Sequence, residues 1–164
     1  TITISGLSKT FSCTGWRLGY SIAPAEMSSP IRKVHDFLTV GAPAPLQAAA
    51  AIGMAFGTEY YNKIAQEYRE RRDLMTSALS EAGFKFSAPE GAYYILADFA
   101  ELSDLRGVEF ALWLAREVGV ATVPGTSFYH QPKMGDTVTR FAFCKKKETL
   151  EKAAERLAGI TAKV

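Results

Sequence analysis

Two residues near the start of the chain, Lys9 and Arg17, are of types that can do chemistry together. Lys9 stands in a turn of small residues after an apolar stretch, and Arg17 follows eight residues later, just before a second apolar stretch. A partly desolvated lysine loses several units from its usual pKa of about 10.4, and the neutral amine then forms an imine with a carbonyl compound. Arginine stays charged, and its planar fork suits a phosphate. An imine-forming amine beside a phosphate-binding arginine is what an aldehyde cofactor with a phosphate group requires, and that cofactor is pyridoxal phosphate.

Each of these residues taken alone has a simpler interpretation. A lysine in a turn is usually solvated, and an arginine near a strand usually forms a surface ion pair. The order of strand, small-residue turn, lysine, Gly-Trp-Arg and strand is what favours a cofactor site. A P-loop ending in Lys-Thr needs glycine directly before the lysine and another five residues earlier. Those places hold Ser8 and Thr3, so a P-loop is excluded.

This segment resembles the lysine motif of class I and II aminotransferases, which belong to the fold-type-I pyridoxal-phosphate enzymes. The matching residues are Ser5-Gly6-Leu7-Ser8-Lys9-Thr10-Phe11-Ser12 and Thr14-Gly15-Trp16-Arg17-Leu18-Gly19-Tyr20. The similarity continues along the chain through Val34-His35-Asp36-Phe37-Leu38, Pro89-Glu90-Gly91-Ala92-Tyr93-Tyr94, Val123-Pro124-Gly125-Thr126-Ser127-Phe128-Tyr129 and Thr139-Arg140-Phe141-Ala142-Phe143. It is strongest to the branch that contains kynurenine, glutamine and methionine aminotransferases and many enzymes labelled aspartate aminotransferase.

The resemblance implies a role for three residues. Lys9 would bind the cofactor aldehyde as an imine and would also move the proton between substrate carbon and cofactor. Arg17 would hold the cofactor phosphate, and Arg140 would pair with the substrate α-carboxylate. One position departs from the family pattern: many members have a phosphate-contacting serine three residues before the lysine, where this chain has Gly6.

The resemblance also implies the fold class and the domain organisation. We expect an α/β chain that is the C-terminal fragment of a fold-type-I transferase. Residues 1–62 would be the end of the large cofactor domain, and residues 63–164 a small α+β domain. The sequence starts inside a predicted strand without an initiator methionine, which indicates part of a longer protein. The groups that bind the cofactor ring would lie in the remaining part, so we expect the fragment alone to be inactive.

Composition favours an ordinary globular protein. The 164 residues are 48% hydrophobic and 22% charged, with a formal net charge of +2. There is no basic stripe for nucleic acid, no apolar run long enough for a membrane span and no signal-peptide pattern. Two cysteines, Cys13 and Cys144, have no metal-like spacing, so we expect reduced thiols, no metal and a cytoplasmic protein. A homodimer is expected from the resemblance alone.

Hydrophobic periodicity predicts helices in the first part of the chain. A helix over about 27–38 places His35 on its apolar face, so we expect a partly buried structural histidine. An Ala-rich stretch over 46–56 predicts a buried helix. A long helix begins at Thr58 and ends near residue 82, because Gly83 suits its C-terminal cap.

The second part alternates between strands and helices. Arg140 lies on a predicted strand among apolar neighbours and shares a face with Val138 and Ala142. It is either part of a buried structural ion pair or a carboxylate receptor, because an unpaired buried charge is costly. Tyr93 or Tyr129 is a candidate for the substrate entrance. The predicted strands are 84–86, 92–99, 120–123 and 138–144, and the predicted helices are 108–118 and 148–158.

The function expected from the resemblance is transfer of an amino group from an L-amino acid to a 2-oxo acid. A carbon–sulfur lyase of the same fold type would keep Lys9 and Arg17, and a product assay would separate the two reactions. A third alternative is an isolated small domain without catalytic activity.

Overall fold

The computed structural model describes residues 1–160. Contacts divide the chain into two compact units, Thr1–Ile64 and a second unit that begins at Ala65. The boundary falls inside a long helix that begins at Thr58. The predicted assignment of 1–62 to a cofactor domain and 63–164 to a small domain stays a prediction, and residues 161–164 lie outside the described residues.

The first unit consists of a β-hairpin followed by helices. Strand β1 pairs antiparallel with strand β2, and the loop between them contains a short 3-10 turn. Two helices follow, α1 and α2, and the unit ends in the first turns of α3. The bounds are β1 Thr3–Gly6, β2 Gly19–Ile22, α1 Ala25–Thr39, α2 Ala44–Met54 and α3 Thr58–Glu81.

Two burial predictions for this unit are wrong. Within residues 1–64, all of which the structure describes, the buried residues are Leu7, Leu18 and Gly53. His35 is exposed rather than partly buried, and the hydroxyl of Thr39 lies 3.0 Å from its Nδ1. The Ala-rich helix α2 is largely exposed as well. Both helices form close to their predicted ranges, but their residues are exposed or half-buried except Gly53, which lies against the Phe11 ring.

The second unit is a three-stranded antiparallel sheet with helices. Strand β5 is central, with β3 on one side and β4 on the other. Helix α4 continues into one wider π-helical turn at Leu114–Val118, and two 3-10 turns follow β4, at Gly125–Phe128 and Pro132–Gly135. The bounds are β3 Tyr94–Asp98, α4 Gly107–Trp113, β4 Val123–Pro124, β5 Val138–Ala142 and α5 Lys147–Leu157.

The core of the second unit joins α3, the sheet, α4 and α5. Its members include Met75, Leu79, Ile95, Phe99, Phe110, Leu114, Phe141, Phe143, Leu150 and Leu157. Gly83 follows α3 with φ +89°, as its predicted cap role requires. The α/β class and the helices of this unit are confirmed. All four predicted strands are shorter in the structure: 92–99 is reduced to β3, 138–144 to β5 and 120–123 to β4, and 84–86 provides a single bridge from Lys85 to Asp98.

Residues 1–160 contain neither a membrane-spanning helix nor a cluster of metal-binding side chains. No helix within residues 1–160 is both long enough and apolar enough to cross a membrane. Over the same residues, no group of three or more His, Cys, Asp or Glu side chains is arranged to hold a metal ion.

Candidate functional site

The loop that carries Lys9 has a fixed base. The register of the hairpin places Gly6 opposite Gly19, and the next residue in, Leu7, donates its N–H to the carbonyl of Leu18 at 3.1 Å. Both leucines are buried. Glycine is required at position 19 because a Cβ there would lie 2.9 Å from the carbonyl oxygen of Ser5. The two ends of the loop are therefore held together by backbone pairing and burial.

Lys9 occupies a tight turn within this loop. Phe11 donates its N–H to the carbonyl of Leu7 at 3.1 Å, and Ser12 donates to the carbonyl of Lys9 at 3.4 Å. Ser12 has φ 51°, in the left-handed region that non-glycine residues rarely adopt. The side chain of Lys9 is half-buried. The predicted small-residue turn is confirmed, and its backbone is fixed on both sides of the lysine.

An aromatic anchor follows directly after Lys9. The ring of Phe11 stacks on Tyr60 with 5.7 Å between centroids and meets Phe56 edge-on at 6.2 Å. The hydroxyl of Tyr60 donates to the carbonyl of Thr10 at 2.9 Å. A Cβ at Gly53 would lie 3.2 Å from the Phe11 ring, so α2 approaches the anchor closely. Sequence reasoning missed this anchor, because Phe11 lies 45 residues before Phe56 and 49 before Tyr60.

Replacing Tyr60 by phenylalanine tests the anchor. The ring contacts remain, whereas the hydrogen bond to Thr10 is lost, at a cost of about 0.5–1.5 kcal/mol. We expect the amides of residues 8–13 to exchange roughly threefold to tenfold faster with deuterium, because local opening of the loop becomes easier. The neighbouring Tyr61→Phe variant is the control and should leave these rates unchanged. Equal rates in the Tyr60→Phe variant and the parent chain would show that the hydroxyl does not hold the loop.

Arg17 closes the same loop with an unusual backbone. Its φ of 54° is left-handed, which costs a non-glycine residue about 1–2 kcal/mol. Its side chain is exposed, and Nη1 donates to the carbonyl of Thr14 at 3.0 Å. Among residues 1–160, no carboxylate forms an ion pair with it. A strained residue with an uncompensated charge is a candidate for a functional role.

Arg140 belongs to the second unit, on the central strand β5. It lies opposite Leu96 of β3 and Val123 of β4. Its guanidinium carbon lies over two rings, 4.7 Å from the centroid of Phe128 and 5.3 Å from that of Tyr94. Its Nε is buried and has no hydrogen-bond partner in the described part of the chain.

The strand prediction for Arg140 is confirmed, and the ion-pair alternative is not observed. Thr139 and Phe141 are buried, while Val138, Arg140 and Ala142 alternate with them on the other face. No described carboxylate pairs with the guanidinium. The arginine is thus a half-buried cation that is held by aromatic rings and retains an unused donor.

The aromatic residues over Arg140 are Tyr94 and Phe128. The candidates for the substrate entrance, Tyr93 or Tyr129, are their neighbours in sequence and stay a prediction. The pairing of β3 with β5 predicts that Tyr94 lies on the same face as Arg140. Residues directly opposite in an antiparallel pair share a face, and Tyr94 lies two positions from the residue opposite Arg140. Phe128 comes from a 3-10 turn, where no two-residue period predicts the direction of the side chain.

Tyr68, also in this unit, has a shifted pKa, in the direction that keeps its hydroxyl protonated. Burial raises the pKa of Tyr68, and the electrostatic effect of the nearby Cys144 side chain raises it further. Its ring packs against Phe143, with the guanidinium of Arg71 5.5 Å from its centroid. Tyr68 is therefore a neutral packing residue at physiological pH.

Comparison with protein families decides which enzymes share this loop and strand. The family model of aminotransferase class I and II matches residues 1–157. The chain belongs to this family. As a member of the aminotransferase class I and II family, it is similar to methionine aminotransferase of Escherichia coli (strain K12), with 40% identity over 156 residues. It is also 36% identical to a probable kynurenine–oxoglutarate transaminase of Saccharomyces cerevisiae. These matches cover 95% and 96% of this chain, but 40% and 39% of the relatives.

Solved structures of aminotransferases agree with this family assignment. The crystal structure that identified a methionine aminotransferase function in Escherichia coli superposes with a TM-score of 0.87 at 39% identity, over 96% of this chain and 41% of that one. N-succinyldiaminopimelate aminotransferase from Mycobacterium tuberculosis gives a TM-score of 0.87 at 33% identity, over 98% and 42%. The predicted family is confirmed, and the chain spans about two fifths of the length of these relatives. Such coverage is consistent with the predicted fragment. Aminotransferases are generally pyridoxal-phosphate dependent and act on amino acids and 2-oxo acids.

Proposed function

We propose that this chain supplies the lysine and the two arginines of a pyridoxal-phosphate aminotransferase. The enzyme would move an amino group from an L-amino acid to a 2-oxo acid. The observation that carries the proposal is the placement of Lys9 and Arg17 on one closed loop in a chain that matches the family over residues 1–157. The names of the relatives favour transamination over the carbon–sulfur lyase alternative.

The chemistry of the loop fits the cofactor. Lys9 offers a primary amine for the aldehyde, and Arg17 offers a guanidinium without a carboxylate partner in the described part of the chain for the phosphate. A Cβ at Gly6 or Gly15 would meet no atom within 4 Å, which leaves open space on the loop. A serine would therefore also fit at position 6. In its absence Ser5 or Ser8 is the alternative hydroxyl for the phosphate, beside Arg17.

Each residue has one task in the proposed reaction. The cofactor supplies the electron sink that makes a hydrogen on the substrate α-carbon acidic. Lys9 would hold the cofactor through Nζ, and the same atom would accept and return the α-proton of the substrate. Arg17 anchors the phosphate. Arg140 orients the substrate through its α-carboxylate, with a gain of about 1.5–3 kcal/mol for a charged hydrogen bond.

The amino donor is proposed only as a class. The relatives are named for methionine, kynurenine and N-succinyldiaminopimelate, which share an α-amino carboxylate and differ in the side chain. Arg140 recognises the shared group. The homodimer and the cytoplasmic location expected from the resemblance belong to the same proposal, as does the inactivity of the chain alone, since it spans about 40% of a relative.

Reductive labelling of the chain tests the proposal. We expect added pyridoxal phosphate, fixed with borohydride, to modify Lys9 saturably, as located by peptide mass spectrometry. A Lys9→Ala variant is the control and should lose this label. Weak labelling spread over exposed lysines such as Lys145, Lys146 and Lys147 would show that the loop does not bind the cofactor.

A further inference from the structure

The guanidinium of Arg140 lies against aromatic rings rather than carboxylates in the described part of the chain. Strand β5 lies between two neighbours, and each side contributes one ring. Tyr94 comes from β3, and Phe128 comes from the turn that follows β4. Their centroids lie 5.3 and 4.7 Å from the guanidinium carbon. The cation is therefore approached by aromatic rings from both sides of its strand.

Aromatic rings hold a guanidinium in a way that carboxylates do not. A carboxylate partner would neutralise the charge and occupy N–H donors in its plane. A ring attracts the cation through its quadrupole and leaves those donors available. The buried Nε of Arg140 has no acceptor in the described part of the chain and is cut off from water. The arginine is thus held by rings while this donor stays unused.

We propose that Tyr94 and Phe128 form an aromatic clamp that positions Arg140 for a substrate carboxylate. The inference rests on the proposed role of Arg140 as the carboxylate receptor. The clamp restricts the side chain before the ligand arrives, so less conformational freedom is lost on binding. It also holds the guanidinium where the buried N–H lacks water, so a carboxylate satisfies a donor that nothing else in the described unit satisfies. Tyr94 and Phe128 are positioning residues that act through Arg140.

Phe128 is the better of the two rings to change. Its side chain is 44% exposed, so its removal leaves the core of the unit intact. Leu96, directly opposite Arg140, is 40% exposed and provides a matched control without a ring. Phe128→Leu removes the ring and keeps apolar volume, whereas Phe128→Tyr and Tyr94→Phe keep both rings.

The experiment follows the side-chain Nε–H signal of Arg140 by NMR in the whole nitrogen-15-labelled chain. The Nε–H signal is assigned to Arg140 because it disappears in the Arg140→Lys variant. Propionate is the probe, and propionamide is its neutral counterpart. In the parent chain we expect propionate, but not propionamide, to shift this signal saturably. Phe128→Leu should weaken propionate binding roughly fivefold to tenfold, while Phe128→Tyr, Tyr94→Phe and Leu96→Ala stay within about twofold of the parent.

The outcomes separate the clamp from the proposed function. The clamp is overturned if Phe128→Leu binds propionate as tightly as the parent chain. It is also overturned if Leu96→Ala loses as much propionate affinity as Phe128→Leu. If propionate does not shift the Arg140 signal of the parent chain, both the receptor role and the clamp are wrong. Labelling at Lys9 would still support the cofactor assignment in that case. Ring-dependent binding without labelling at Lys9 would support the clamp and remove the cofactor loop from the proposal.

Discussion

Replacing Arg17 by glutamine should weaken binding of pyridoxal phosphate about 10-fold to 100-fold and leave binding of pyridoxal, which lacks the phosphate, unchanged. Glutamine keeps a donor but removes the charge. A charged hydrogen bond contributes about 1.5–3 kcal/mol, and each 1.4 kcal/mol is a factor of about ten in affinity. The measurement is a titration of both compounds, with the bound fraction fixed by borohydride and quantified on Lys9.

The structure indicates that this substitution acts on the ligand rather than on the fold. Arg17 is exposed and forms no ion pair with a described residue, and its one hydrogen bond reaches the carbonyl of Thr14 three residues away. Arg32→Gln, an exposed arginine on α1 of the same unit, is the matched control and should change neither affinity. An equal loss for pyridoxal and pyridoxal phosphate in Arg17→Gln would mean that Arg17 supports the loop instead of holding the phosphate.

The hairpin could be predicted from the sequence because its determinants are local. Apolar stretches define both strands, small residues allow the tight turn around Lys9, and Gly19 is needed where the strands approach closely. Arg17 could be placed at the end of the loop but not in its left-handed backbone, since nothing in its residue type indicates a positive φ. Local chemistry thus predicted that Lys9 and Arg17 share one loop, and the structure adds how the backbone holds that loop.

Burial was harder to predict because it depends on what covers a face. Periodicity placed His35 on the apolar side of α1, and that side is apolar, but Val34, His35 and Leu38 are exposed on it. Met75 and Leu79 lie four residues apart on one face of α3 and are buried, because the sheet and α5 pack against that part of the helix. A hydrophobic pattern indicates which face seeks a partner, and only the tertiary structure supplies one.

The aromatic surroundings of Arg140 show the same limit at a smaller scale. The two-residue period of a strand correctly gave Arg140 the face of Val138 and Ala142. The same period places Tyr94 on that face once β3 is known to pair with β5. Strand order is a long-range property, so this step needed the structure, and Phe128 needed the geometry of a 3-10 turn as well.

The contrast between covered and uncovered helix faces predicts effects of very different size for the same Leu→Ala substitution. Leu79 on α3 is 0% exposed in the core, whereas Leu38 on α1 is 76% exposed. Leu79→Ala should lower the free energy of unfolding by about 2–5 kcal/mol, because it removes buried methyl groups and leaves a cavity. Leu38→Ala should change it by no more than about 0.5 kcal/mol, since the side chain already contacts water and alanine is the stronger helix former. Urea unfolding followed by circular dichroism measures both.

The pair is informative because the chemical change is identical and only burial differs. A loss in Leu38→Ala as large as that in Leu79→Ala would show that the face of α1 is covered in solution, and sedimentation of the parent chain would then reveal whether a second copy covers it. A small loss in Leu79→Ala would contradict the core itself.

The expected asymmetry follows from the distribution of buried residues: residues 1–64 bury Leu7, Leu18 and Gly53, whereas the unit that begins at Ala65 encloses a continuous core. Stability of this chain should therefore come from the second unit, while the loop with Lys9 and Arg17 is held by its own backbone pairing and the Phe11–Tyr60 contact.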